Sequence, residues 1–271
     1  MDNQNQEPGT EKTEEEIDWE AFFAEDEEEN KRWEQEKEQR KKRRSFIIKI
    51  FSSIIAFSML VSGLGVWFNV FNIPAFQFVE ASNRLSKKPE IKEYKESVVV
   101  VEWDGVRGTG FNIRPDGYII TNEHVVDHTN QVHIHTKKQG SYLGKVIATF
   151  PEEDLAIVDI EANNLPALSI SSEENWEQRT DEKVYFIGNP LGFVQVANEG
   201  TIAGTTQLND SKIPFLMIDA PIYKGNSGSP VINEQGEVIA VIFATLRNPK
   251  MGLATPSSYL KTIIEETQRL E

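Results

Sequence analysis

The chain has 271 residues, 39% of them apolar, no cysteine and a formal charge of −15. That length allows one or two domains with a sizeable core. Without cysteine there are no disulfides and no thiolate metal sites, and the negative charge argues against nucleic acid as a partner, since polyphosphate would be repelled.

Residues 1–45 carry sixteen acids and nine bases, with the acids early and the bases late, ending "QRKKRRS". A helix from about Glu14 to Arg44 would set both charge blocks favourably on its macrodipole. Ile17, Trp19, Phe22, Phe23 and Trp33 are too few for an independent core, so this part reads as a solvated tail, disordered or helical. A docking helix for a partner is the sharper alternative.

Residues 46–68, "FIIKIFSSIIAFSMLVSGLGVWF", hold a single charge, Lys49. A helix of about 20 apolar residues spans the hydrocarbon core of a bilayer. Lys49 lies near one end and can snorkel. The block "KKRR" precedes the run and Trp67 and Phe68 close it, which predicts a single-pass anchor with the N-terminal tail cytoplasmic and residues 69–271 outside. A cleaved signal peptide fits poorly, because about 45 residues precede the run and no small-x-small site follows it.

Residues 69–96 read as a linker, aromatic first (Phe71, Phe76, Phe78) and polar later, with room for a short helix. From Ser97 onward the pattern is β. "SVVVVEW" is a β-branched run, and "GTGFNIRPDGYIITNEHVV" reads as strand, turn, strand. "QVHIHT", "YLGKVIATF", "LAIVDIE", "LPALSIS", "KVYFIGNP", "VQVANEGTIAGTTQ", "PFLMIDAPI", "SPVINEQGEVIAVIFATL" and "MGLATP" follow at short intervals. Many short strands with regular turns predict an all-β barrel or sandwich over residues 97–271. "PSSYLKTIIEETQRLE" closes it as a helix with Leu260, Ile263 and Ile264 on its apolar side.

Three segments in this region carry chemistry: "TNEHVV" with His124, "EEDLAIVDI" with Asp154 and "KGNSGSP" with Ser227. A serine hydroxyl is a weak nucleophile and needs a base within hydrogen-bond reach. Histidine suits that task, and a carboxylate on its second ring nitrogen holds the tautomer. The glycines around Asn226–Ser227 permit a turn whose N–H groups face a developing oxyanion, with Gly225 and Ser227 as the natural donors. Each signal is weak alone; their joint occurrence in the order His, Asp, Ser carries the weight. His128, His133 and His135 are rival bases, Asp127 and Asp159 rival acids, and Ser229 a rival serine. Asp159 lies at the far end of its strand and Ser229 lacks the preceding Gly-Asn. His133 and His135 alternate on one strand face, which reads as an exposed face in preference to a metal site.

"GTGFNIRPDGYIITNEHVV", "DLAIVDI", "IGNPLG", "IDAPIYKGNSGSPVINEQGEVIAV" and "GLATPSSYL" together resemble the HtrA/Deg trypsin-like serine proteases, from about Ser97 to Leu260. The order matches, with 30 residues from His124 to Asp154 and 73 from Asp154 to Ser227. The resemblance implies a chymotrypsin-type fold of two six-stranded β-barrels, His124 and Asp154 on the first and Ser227 on the second. It implies Ser227 as nucleophile, His124 as base, Asp154 as orienting carboxylate, and Gly225 and Ser227 as oxyanion donors. The implied reaction is peptide-bond hydrolysis through an acyl-enzyme, without metal or cofactor. It places Ile242, Phe243 and Ala244 along the pocket for the residue before the cut, which favours small or medium apolar residues and hence unfolded or damaged chains as substrates. Asp219 reads as structural. Many members of the family trimerise through an aromatic N-terminal segment, so the stretch from Trp67 to Phe78 allows a homotrimer here, and contact with the membrane interface accounts for these aromatics equally well.

Two features depart from the family. Only eleven residues follow Leu260, so no PDZ domain is expected, and Ser229 stands where most members have glycine. The sequence therefore reads as a membrane-anchored serine endopeptidase of extracytoplasmic quality control or processing. The alternative is an inactive protease-fold scaffold or holdase.

Overall fold

The computed structural model describes residues 19–71, 74–173, 179–208, 211–247 and 250–268. The chain divides into two units, Met1–Asn72 and Ile73–Glu271.

Among its described residues the first unit is one helix, α1 (Trp19–Phe71). Its charged half is supported by Glu36–Arg40 (3.6 Å) and Glu38–Lys42 (3.5 Å) pairs four residues apart. With the acid on the N-terminal side, such pairs add a few tenths of a kcal/mol each. Within Lys31–Leu64 lies a stretch long and apolar enough to cross a membrane, none of it buried within the unit. Phe46, Ile47 and Ile48, consecutive residues turned about 100° apart around the helix, all stay exposed, the pattern of a helix whose apolar surface runs all round. The start expected near Glu14 and the side chains of Trp67, Phe68, Phe71, Phe76 and Phe78 lie outside the described residues.

The second unit begins with two helices, α2 (Pro74–Leu85) and α3 (Pro89–Glu96). Pro89 starts α3 because its ring presets a helical φ and it needs no N–H partner in the first turn. Glu90 in the first turn and Lys95 in the last complement the dipole. Leu85 and Ile91 are buried in the central apolar cluster. So part of the expected linker packs as an integral piece of the folded unit. The cationic end of Lys95 is buried with them, 2.6 Å from Ser86 Oγ and 3.4 Å from Ser82 Oγ. Burial lowers the Lys95 pKa to about 8.

The first barrel closes in the order β1 (Val98–Trp103), β2 (Val106–Asn112), β3 (Tyr118–Thr121), β6 (Leu155–Asp159), β5 (Ser141–Phe150), β4 (Gln131–His135) and back to β1. Asp104 and Gly105, both at positive φ (42° and 78°), form the two-residue turn between β1 and β2, as primed hairpin turns require. The run Val98–Val101 is buried throughout rather than alternately. Val99 and Val101 face the barrel interior while Val98 joins the cluster between the barrels, so both faces of β1 are covered.

The second barrel runs β11 (Pro230–Ile232), β8 (Lys183–Gly188), β9 (Val196–Gln207), β10 (Pro214–Asp219), β13 (Lys250–Pro256), β12 (Glu237–Arg247), and closes through the β11–β12 pairing. The two-residue β7 (Ser169–Ile170) adds to β12 in parallel. Two six-stranded antiparallel barrels are thus present, as the resemblance implied. The short α4 (Glu123–Val126) follows β3, and α5 (Ser257–Gln268) closes the unit. Between the barrels one cluster joins Val98, Phe111 and Ile157 from the first, Tyr185, Ile232 and Val241 from the second, Leu85 and Ile91 from the leading helices, and Leu260 and Ile263 from α5. This seam fixes how the two barrels meet.

Because Ile91 is fully buried in that seam, Ile91→Ala should lower unfolding free energy by about 2–4 kcal/mol. Urea denaturation of the intact chain measures it; a change below about 0.5 kcal/mol would mean α3 is a loosely attached linker.

Candidate active site

His124 lies on α4, and Asp154 ends the turn that leads into β6. Asp154 has φ +51°, a left-handed conformation that aspartate tolerates better than most residues. From there its carboxylate grips one residue twice. Oδ1 accepts the backbone N–H of His124 at 3.0 Å, and Oδ2 lies 2.7 Å from His124 Nδ1. Asn122, fully buried, donates from Nδ2 to the carbonyl of Asp154 at 2.7 Å and so ties the two segments together. With the Nδ1 proton held by the carboxylate, Nε2 carries the imidazole lone pair. The hydrogen bond to Asp154 raises the His124 pKa above its ordinary value, partial burial opposes the rise, and the Asp154 and Glu123 charges reinforce it.

Ser227 sits in the second barrel's loop before β11. The loop is a turn closed by Asn226 N–H donating to Tyr223 O at 3.0 Å, with Gly225 at φ +99°, the position that glycine fills in type II turns. Gly228 (φ +84°) is held by its N–H to Ile242 O at 2.8 Å, and Ile242 N–H returns to Ser229 O at 3.0 Å. Among the described residues, the N–H groups of Gly225 and Ser227 have no acceptor within the chain. Two backbone donors left open on one tight turn, beside a serine, are the arrangement that binds an oxyanion.

The two halves meet across β2. Thr109 N–H donates to Ser227 O at 2.8 Å. A Cβ on the preceding Gly108 would lie 2.7 Å from Val125, the residue after His124, and 3.4 Å from Ser227 O. The absent side chain at 108 lets the histidine helix and the serine loop approach one another. Asp154 thus meets His124 directly, and the Gly225–Ser227 turn packs against β2 close to the helix that carries His124, although these segments lie far apart in sequence.

The other residues singled out in the sequence sit elsewhere. Asp127 pairs with His128 at 2.9 Å. His135 lies 2.7 Å from Ser141 Oγ through Nδ1, its ring stacked against His133. Asp159 closes the opposite end of β6, facing Tyr118 and Lys145, and Asp219 is exposed at the end of β10. Ile242 lends its backbone to the serine loop, while its side chain is buried in the second barrel's core. Phe243 stands at a bulge of β12, its ring 4.7 Å from that of Phe215. Phe243 and Ala244 are half-buried. Ser229 is fully buried, and its Oγ has no hydrogen-bond partner among the described residues. Thr109, Asn122 and Asn189 escaped the reading by motif. Thr109 lies between two glycines and Asn189 between Gly188 and Pro190, while Asn122 lies between the polar Thr121 and Glu123, and none of these settings becomes informative until burial is known.

Two β-barrels, an Asp–His pair on one and a serine in a glycine turn on the other define the chymotrypsin-like class of fold. Residues 108–241 match the trypsin-like peptidase domain family. The chain carries a trypsin-like peptidase domain related to the HtrA/Deg serine proteases. A probable periplasmic DegP-like serine endoprotease of Chlamydia pneumoniae is 35% identical over 197 residues, 70% of this chain and 39% of that protein. The chain therefore spans well under half of that relative's length. A serine endoprotease from Yersinia pestis superposes with a TM-score of 0.59 at 27% identity, over 66% of this chain and 65% of the other. A protease of M. tuberculosis, in an inactive form, shares the fold with a TM-score of 0.60 at 24% identity, over 68% and 93% of the two chains.

The Asp154 contact predicts that the His124 ring titrates above the ordinary imidazole range. In Asp154→Asn the midpoint should fall, read by NMR of the ring protons. An unchanged midpoint would show that the carboxylate does not bear on the ring.

Proposed function

We propose that this domain is a serine endopeptidase. The observation that carries the reading is the pair of open N–H groups on the Gly225–Ser227 turn, set across Gly108 from the helix that bears a histidine gripped by Asp154. In this reading His124 Nε2 takes the proton of Ser227 Oγ as the oxygen attacks the scissile carbonyl. The N–H groups of Gly225 and Ser227 hold the oxyanion, and Asp154 stabilises the imidazolium. The imidazolium returns its proton to the leaving amine, and the acyl group remains on Ser227 until water, activated by the same ring, releases it. Each group acts only in the protonation state its neighbours impose, so turnover rises with pH as His124 loses its proton.

The same reading makes Ile242, Phe243 and Ala244 the wall for the residue before the cut. They carry no charge, and Phe243 and Ala244 retain exposed surface, which suits small or medium apolar side chains. Such side chains are buried in folded proteins, so the substrates are unfolded or damaged polypeptides. A peptide library should show cleavage after apolar residues; dominance of Lys or Arg at that position would sink this assignment.

We also propose that residues 46–68 anchor the chain as a single span with the peptidase domain extracytoplasmic. The basic block Lys41–Arg44 next to the apolar run supports that orientation, and the Chlamydia relative is named as periplasmic. Intact cells treated with a membrane-impermeant fluorophosphonate test both proposals. Labelling of the parent but not of Ser227→Ala is expected, with casein cleavage lost in the variant. Labelling only after lysis would overturn the orientation. No Ser227-dependent labelling by a permeant probe, with unfolded substrate present, would overturn the peptidase reading.

A further inference from the structure

The serine loop is held from outside its own barrel by one residue. Thr109, on β2, is completely buried, and its hydroxyl is saturated. Oγ1 donates to Gly225 O at 2.7 Å and accepts Asn189 N–H at 2.9 Å and Asn189 Nδ2 at 3.2 Å. A hydroxyl has one proton and two lone pairs. With both lone pairs taken by Asn189, the proton is aimed at Gly225 O and cannot be turned elsewhere without orphaning a buried group. The backbone N–H of Thr109 meanwhile holds Ser227 O at 2.8 Å. The two residues whose N–H groups stand open on the turn therefore have both carbonyls pinned to Thr109.

Asn189 is fixed in turn. Its Nδ2 also donates to Val99 O at 2.9 Å, and its Oδ1 accepts Gln195 N–H at 2.9 Å. Gln195 Nε2 reaches Val98 O at 2.8 Å, and Thr121 Oγ1 donates to Thr109 O at 2.7 Å. Asn189, Gln195 and Thr121 are all buried. Between Asn189 and Gln195, Leu191 N–H donates to Lys224 O at 3.0 Å. Lys224 O and Gly225 N–H belong to one planar peptide and point in opposite directions. Holding that oxygen on the Leu191 side turns the Gly225 N–H the other way.

We propose that Thr109 is a positioning residue for the oxyanion turn. Its hydroxyl, locked by Asn189, holds the peptide between Gly225 and Asn226 so that the flanking N–H groups stay directed at substrate. The inference rests on the peptidase reading above for its catalytic consequence, but its structural content stands without it. Thr109 would act on the transition state, where the oxyanion forms, and little on ground-state binding.

Three forms of the full chain decide the matter: parent, Thr109→Val and Thr109→Ser. Steady-state cleavage of an apolar peptide is measured alongside hydrogen exchange of the segment 223–229. Removing a whole oxyanion donor costs about 100- to 1,000-fold in rate; a donor that is present but misdirected should cost less. Thr109→Val is expected to lose about 10- to 100-fold in kcat, with KM changed by less than about threefold. Thr109→Ser, which keeps the hydroxyl, should stay within about threefold of the parent. Exchange across 223–229 should quicken in Thr109→Val and not in Thr109→Ser. A thermal melt of Thr109→Val above the assay temperature separates these effects from unfolding; if that variant does not fold, Asn189→Asp replaces it as the disruption of the same hydroxyl's partner. Unchanged kcat in Thr109→Val, equal losses in both variants, or unaltered exchange would each overturn the proposal. If the parent shows no Ser227-dependent turnover, the peptidase reading fails and the exchange comparison alone decides the role of Thr109.

Discussion

The close approach of β2 to the serine loop is the constraint on which the rest of the second unit depends. A Cβ at Gly228 would lie only 1.9 Å from Thr109 O and 2.8 Å from Thr121 Oγ1, and Gly228 has φ +84°. Glycine alone satisfies both the space and the dihedral. Because the approach is so tight, backbone and hydroxyl of Thr109 reach the carbonyls of Ser227 and Gly225 directly. The same geometry repeats at Gly108, where the missing side chain lets Val125 and Ser227 O share one space. The geometry of the candidate site is thus a by-product of two barrels packed at backbone distance.

That packing is held by apolar burial and tuned by polar groups. The seam joins both barrels with Leu85, Ile91, Leu260 and Ile263, and each fully buried Leu or Ile contributes about 1.5–3 kcal/mol relative to exposure. Burial of Thr109, Asn189 and Gln195 is tolerable because each finds partners; an unpaired buried polar group costs about 1–3 kcal/mol. Ser229, in the serine loop itself, differs from these three. Its Oγ is buried without a partner, in the space where a Cβ on Gly188 would lie 2.2 Å away. This residue departs from the glycine usual in the family that the sequence resembles, and the absence of a side chain at Gly188 is what makes room for it.

How much of this was legible depended on the range of the interaction. The Asp104–Gly105 turn, the Pro89 helix start and the apolar face of Leu260 and Ile263 are local, and each was readable or consistent with a local rule. β1 was readable as a strand from "SVVVVEW", but not why Val98–Val101 are all buried, which needs a barrel on one side and a seam on the other. Residues 69–96 looked like a linker because the polar composition of their second half hides Leu85 and Ile91, two apolar positions whose burial requires partners on both barrels. His124, Asp154 and Ser227 stood out because their segments resemble a known family; Thr109 and Asn189 did not, because a lone threonine or asparagine has no pattern.

By itself the sequence determined the anchor-like run at 46–68, the β character of the region after Ser97, and the residue types for a nucleophile, a base, an acid and an oxyanion turn, since each follows from composition or from chemistry carried within a few residues. Tertiary structure alone decided which atoms meet: that Asp154 grips both the N–H and the ring of His124, that the N–H groups of Gly225 and Ser227 remain open, and that Thr109 holds the carbonyls between them. The reason is physical. Hydrogen bonds between segments 30 to 116 residues apart depend on angles and distances of a few tenths of an ångström, and those are set by how two barrels pack rather than by any stretch of chain.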